Sequence, residues 1–83
     1  MSTKRDLKEY IKNLPRKKFQ GLLSVASTRE YAKAFNRGVD TLSMEERNTL
    51  EETFVKQGIK APISNLEFYQ IITAITERAM AYN

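Results

Sequence analysis

Carboxylates, hydroxyls and amines are the side chains of this 83-residue chain that could take part in acid–base or covalent chemistry, because it contains no His and no Cys. Two pairs of neighbouring acids, Glu45-Glu46 and Glu51-Glu52, come closest to the paired carboxylates of a general acid and base. Adjacent residues of a helix point about 100° apart, so neither pair converges on one substrate. Glu45 and Glu52 can approach each other across two turns, yet no apolar or basic neighbour is placed to shift a carboxyl pKa, and all four read as a solvated face. Ser24, Ser27, Ser43 and Ser64 have no imidazole to activate them. The missing thiol and imidazole also remove the thiolate nucleophile, the zinc knuckle and the disulfide framework. Gly38 and Gly58 suit helix ends and Gly21 stands alone, so no glycine-rich loop is offered to a phosphate. The expectation is a non-enzymatic protein with no cofactor and no metal.

The remaining chemistry is that of charge. Fourteen Lys and Arg against ten Asp and Glu leave +4. That sum conceals a separation, since residues 1–37 hold ten basic and three acidic residues, a net +7, and residues 38–83 hold four and seven, a net −3. Lys4, Arg5, Lys8 and Lys12 fall on one side of a first helix, and Arg16-Lys17-Lys18 cluster at the start of a second. Cations at a helix N-terminus oppose the helix dipole, at a cost of a few tenths of a kcal/mol each where exposed. A role beyond helix stability would account for them.

The elements that must position these residues are marked by capping signals, in which a Ser or Thr and an acid three residues later satisfy each other's backbone N–H groups. Thr3 with Asp6, Ser27 with Glu30, Ser43 with Glu46 and Ser64 with Glu67 follow that spacing. Ile63 and Phe68 flank the last cap as a hydrophobic staple. Pro15 suits the first turn of a helix, and Gly38 and Gly58 suit helix ends. Five helices result, at about 4–14, 15–26, 28–37, 44–57 and 65–82, with a hinge at 58–62 and no strand.

Apolar periodicity assigns the faces. The expected core is Leu7, Ile11, Leu14, Phe19, Leu22, Leu23, Phe35, Leu50, Phe54, Phe68, Ile72 and Ile75, in an all-α, compact bundle of four to five short helices forming one domain. The fourth helix is thinly apolar and should lie over the core as a surface helix. In the last helix Leu66, Tyr69, Ile71 and Met80 widen the apolar stripe beyond what one neighbour covers, so it is either the central helix or, in part, a homodimer surface.

No apolar run of about 7–15 residues follows the early charges, and the stretch from Phe68 to Met80 is interrupted by polar residues, so neither a secretory signal nor a membrane span is expected. The chain reads as cytoplasmic. The preferred function is a small regulatory or inhibitory protein that binds an acidic surface of another protein through Lys4, Arg5, Lys8, Lys12, Arg16, Lys17 and Lys18. Size and composition resemble those of phage- and plasmid-type accessory factors. The alternative is a dimeric DNA-binding regulator, because Phe19 to Gly38 has the outline of a helix-turn-helix. Val25 to Arg29 followed by Phe35-Asn36-Arg37-Gly38 resembles the turn and recognition helix of phage-repressor-type domains. That resemblance covers about twenty residues, and Ser27 stands where those domains have the turn glycine. It would place Arg29, Lys33 and Arg37 in the groove and the Arg16 cluster on phosphates. Membrane contact is not expected, since the four-residue apolar arc of the first helix is needed by the core.

Overall fold

Five α-helices and two turns of 3-10 helix make up most of residues 5–81, the part of the chain that the computed structural model describes. The helices are α1 (Leu7–Lys12), α2 (Arg16–Leu23), α3 (Arg29–Arg37), α4 (Met44–Lys56) and α5 (Asn65–Ala81), and the 3-10 turns cover Ser24–Ser27 and Val39–Thr41. No strand is present among the described residues. The radius of gyration of 12.1 Å is that of a compact chain, for which about 12 Å is expected at this length.

Helix starts follow the capping chemistry, with two shifts. Ser43 and Ser64 form complete boxes: the Ser43 hydroxyl accepts the Glu46 N–H at 3.1 Å and Glu46 Oε1 accepts the Ser43 N–H at 2.8 Å. The corresponding distances at Ser64 and Glu67 are 3.2 and 2.9 Å. Asp6, expected as the acid of a box begun by Thr3, is itself the cap, accepting the Glu9 N–H at 3.1 Å; Thr3 lies outside the described residues. The cap of α3 is Thr28 and not Ser27. Thr28 Oγ1 accepts the Tyr31 N–H at 3.3 Å, whereas the Ser27 hydroxyl donates to the Ser24 carbonyl at 2.8 Å inside the 3-10 turn. The second helix therefore stops at Leu23, three residues before the expected end, because its last turn tightens to 3-10.

The core gathers Leu7 and Ile11 of α1, Phe19 and Leu22 of α2, Tyr31 and Ala34 of α3, Leu50 and Phe54 of α4, and Phe68, Ile71, Ile72, Ala74 and Ile75 of α5. Helix α5 is the central element, with α1 along one flank and α2 on another. The thinly apolar α4 lies on the core as expected, by Leu50 and Phe54, both fully buried. Leu14 and Leu23 are only partly buried against this cluster. Phe35, expected inside, is 53% exposed. Tyr31 and Ala34 take the inward direction of α3, and the Phe35 ring stacks on Tyr31 with centroids 6.5 Å apart.

The segment 57–64 is anchored and not loose. Ile59 and Ile63 are buried, the Ile63 N–H donates to Glu51 Oε2 at 2.7 Å, and its carbonyl accepts from Arg47 at 2.6 Å. Arg47 also lies over the Phe68 ring, 4.9 Å from its centroid. Two residues of α4 thus satisfy both backbone groups of one buried loop residue. Glu51, expected on a solvated face, is half-buried in this role.

Glu67 links the start of α5 to the residue before α1. Its carboxylate closes the α5 capping box and also receives Arg5 Nε at 2.8 Å, while an Arg5 terminal nitrogen reaches the Pro62 carbonyl at 3.0 Å. Arg5 first, and then the Ser64 N–H, hold the Glu67 carboxyl down at about 2. A carboxyl lowered in the folded state contributes stability that is complete above its unfolded value of 4.5 and is lost as pH falls toward about 2. Thermal midpoints should therefore drop between pH 5 and 2.5 (about the two limits of that window), and Glu67→Gln should flatten the drop. An equal slope in the variant would show that other carboxyls carry it.

Candidate functional site

The basic residues expected to bind a partner fall into two groups, one beside α5 and one at the corner between α1 and α2. Lys4 lies outside the described residues. Arg5 is bound to Glu67 and Pro62 as described, holding the start of α1 against the start of α5. Lys8 is 3.7 Å from Glu77 on α5, and both side chains are largely in water, where such a pair contributes at most about 1 kcal/mol.

Lys12, Arg16, Lys17 and Lys18 surround the corner where α1 ends and α2 begins. Two helix ends of opposite polarity meet there. The carbonyl end of α1 is served by Arg78, which reaches across from α5 to donate to the Ile11 carbonyl at 2.8 Å and lies over the Phe19 ring, 4.4 Å from its centroid. The amide end of α2 is capped by Pro15 without any side-chain hydrogen bond, and its first turn holds no acid. Arg16, Lys17 and Lys18 leave that turn in directions about 100° apart, so they wrap the end of the helix instead of lining one face. All three are exposed, as is Lys12. Among the described residues no carboxylate lies within ion-pair distance of Lys12, Lys17 or Lys18. No Asp or Glu occurs from residue 10 to residue 29, so the sequence neighbours of these three lysines offer them no carboxylate.

Arg29, Lys33 and Arg37 stand four residues apart on α3, within an arc of about 80°. The middle one is engaged: Lys33 Nζ is 2.8 Å from Glu46 Oε1, the oxygen that also closes the α4 capping box. That hydrogen bond and the Ser43 N–H hold the Glu46 carboxyl below the usual range. Arg29 and Arg37 are exposed. Helices α2 and α3 pack on the 3-10 turn between them, α2 also on α5 and α3 on α4, rather than chiefly on each other.

Where α3 ends, Gly38 at φ 101° leads into the second 3-10 turn, which Tyr69 of α5 holds in place. The Tyr69 hydroxyl accepts the Val39 N–H at 3.3 Å and donates to Asp40 Oδ1 at 2.9 Å. Asp40 accepting that proton keeps the hydroxyl above the ordinary tyrosine range.

The described residues contain no group of three or more Asp or Glu able to hold a metal ion, and no helix long and apolar enough to cross a membrane. Sequence reasoning missed Arg78 as the residue that organises the basic corner. It also missed the exposed Phe35, which stands between α3 and the solvent side of α5. In comparisons with known proteins, the chain matches no protein-family model, no curated protein and no solved structure.

Proposed function

We propose that the protein is a small non-enzymatic regulator that acts by docking on an acidic surface of another protein through the corner formed by Lys12, Arg16, Lys17 and Lys18. The observation that carries this reading is the first turn of α2, where three consecutive cations surround an amide end with no side-chain cap and no acid. Helix energetics disfavour that placement, and Lys12, Lys17 and Lys18 have no carboxylate partner within the described fold. An acidic partner surface would supply the missing counter-charge. It would also speed encounter in a manner that salt screens, since exposed charges lose most of their reach beyond about 8 Å at physiological ionic strength.

Reversing all four charges with Lys12→Glu, Arg16→Glu, Lys17→Glu and Lys18→Glu should leave helicity in place and weaken capture of the partner at least about a hundredfold, because like charges then meet acid at the contact. Pulldown from nuclease-treated extract at low and high salt reads this directly. Unchanged yield of every captured protein would overturn the reading. Capture abolished by nuclease alone would transfer the corner to nucleic-acid phosphate.

A further inference from the structure

We propose that two copies of this chain associate through the solvent side of α5, antiparallel about a two-fold axis at Thr73. Helix α5 carries a second seam besides the one it buries. Leu66, Tyr69, Thr73, Thr76 and Met80 follow one another at spacings of three, four, three and four residues, the repeat by which two helices pair. The monomer leaves most of this seam in water, with Leu66 59%, Tyr69 43% and Met80 68% exposed, while Thr76 is half-buried. Phe35, 53% exposed, stands beside it and separates two shallow apolar hollows, one reaching Met80 and the other Tyr69 and Thr73.

Area and the symmetry of the seam's ends favour a second copy as the occupant. Each of the four large side chains leaves about 100 Å² in water, judged against the 150–250 Å² that an aromatic side chain can bury. Two copies would cover about 800 Å² by these alone, and the threonines and flanking alanines bring the total to the ~1,000–1,200 Å² at which specific interfaces begin. That is the size of a reversible dimer. The ends of the seam are symmetric about its centre, whereas Tyr69 and Thr76 face Glu77 and Gln70. Leu66 and Met80 lie seven residues to either side of Thr73, so a two-fold axis there sets Leu66 against Met80 of the partner subunit and lets the small Thr73 side chains meet at the closest approach. An isologous interface requires such self-complementarity.

The seam itself carries no charged residue; in this register the neighbouring Glu77 falls opposite Tyr69, whose hydroxyl holds Asp40 at 2.9 Å, so two acids approach on each side of the axis and the apolar contact has to outweigh them. The basic corner lies on the other side of α5, where Arg78 reaches Ile11, so the cations of two copies are kept apart. This inference stands independently of the docking reading above, which concerns that opposite side.

Sedimentation velocity from about 10 µM to 1 mM, a range that brackets a weak dimer, should show the mass rise from 9.6 kDa toward twice that value. Thr73→Arg and Thr73→Glu, at an exposed position and with helicity verified by circular dichroism, should each weaken the dimer at least about tenfold, because like charges meet at the axis. An equimolar mixture of the two variants should recover the dimer. A wild-type chain that stays monomeric throughout, a dimer indifferent to both variants, or a mixture that does not recover would each overturn the proposal.

Discussion

Phe54→Ala is expected to lower the unfolding free energy by about 3–5 kcal/mol and the thermal midpoint by at least about 12 °C. Phe54 is the point at which three helices meet. Its ring is fully buried, crosses Tyr31 of α3 edge-on at 6.4 Å between centroids, and lies 5.9 Å from Phe68 of α5. Truncation removes both aromatic contacts and leaves a void that the neighbouring helices can close only in part. Small domains have stabilities of order 5–15 kcal/mol, so the variant should be largely unfolded at modest denaturant. Urea titration followed by circular dichroism measures it, and Phe54→Leu should recover more than half of the loss by refilling the space. A change below about half a kcal/mol would mean that α4 does not rest on the core.

Gly38→Ala is expected to cost about 1–3 kcal/mol from backbone conformation alone. Gly38 sits at φ 101° and ψ 148°, a region that residues with a Cβ scarcely enter. An added Cβ would also lie 3.1 Å from both the Tyr69 hydroxyl and Asp40 Oδ1, pressing on the hydrogen bond that fastens the second 3-10 turn to α5. Gly21→Ala is the control. It lies within α2, where the nearest obstacle is the movable tip of Gln57, and Ala there should be neutral or stabilising by up to about 1 kcal/mol. Equal midpoints for the two variants would show that Gly38 is not conformationally required.

Much of this architecture is written in local chemistry. Ser43 with Glu46 and Ser64 with Glu67 could be placed from spacing alone, because a capping box closes within four residues and needs nothing from the rest of the chain. At Thr28 the same rule misled by one residue, since Ser27 and Thr28 are both competent caps and the choice between them depends on where the 3-10 turn ends. Phe35 was misplaced for a different reason. Periodicity shows that Tyr31, Ala34 and Phe35 share a broad face, but which edge of that face meets a neighbour depends on how α3 leans on α4, and no spacing within α3 encodes that. Ile59 and Ile63 escape periodicity altogether because they lie between helices, although two bulky β-branched residues around Pro62 are a signal of an anchored loop. The fate of the cations was the least legible. Arg5, Lys8 and Lys33 look like Lys12 and Lys17 in sequence, and only the positions of Glu67, Glu77 and Glu46 in space separate the engaged from the unengaged.

The pairing of α1 with α5 also bears on how the chain is made. Arg5 with Glu67 and Arg78 with Ile11 connect residues 62 and 67 positions apart, and α1 has its principal contact with α5. A ribosome adding about 5–20 residues per second needs roughly 4–14 s to proceed from the end of α1 to the end of α5. For that interval Leu7 and Ile11 have no surface to cover them, and an isolated helix of six residues is too short to persist in water. Helix α1, made before α5, must therefore be fixed only once α5 is available, and a nascent chain arrested before residue 65 would display those side chains to any chaperone at the exit.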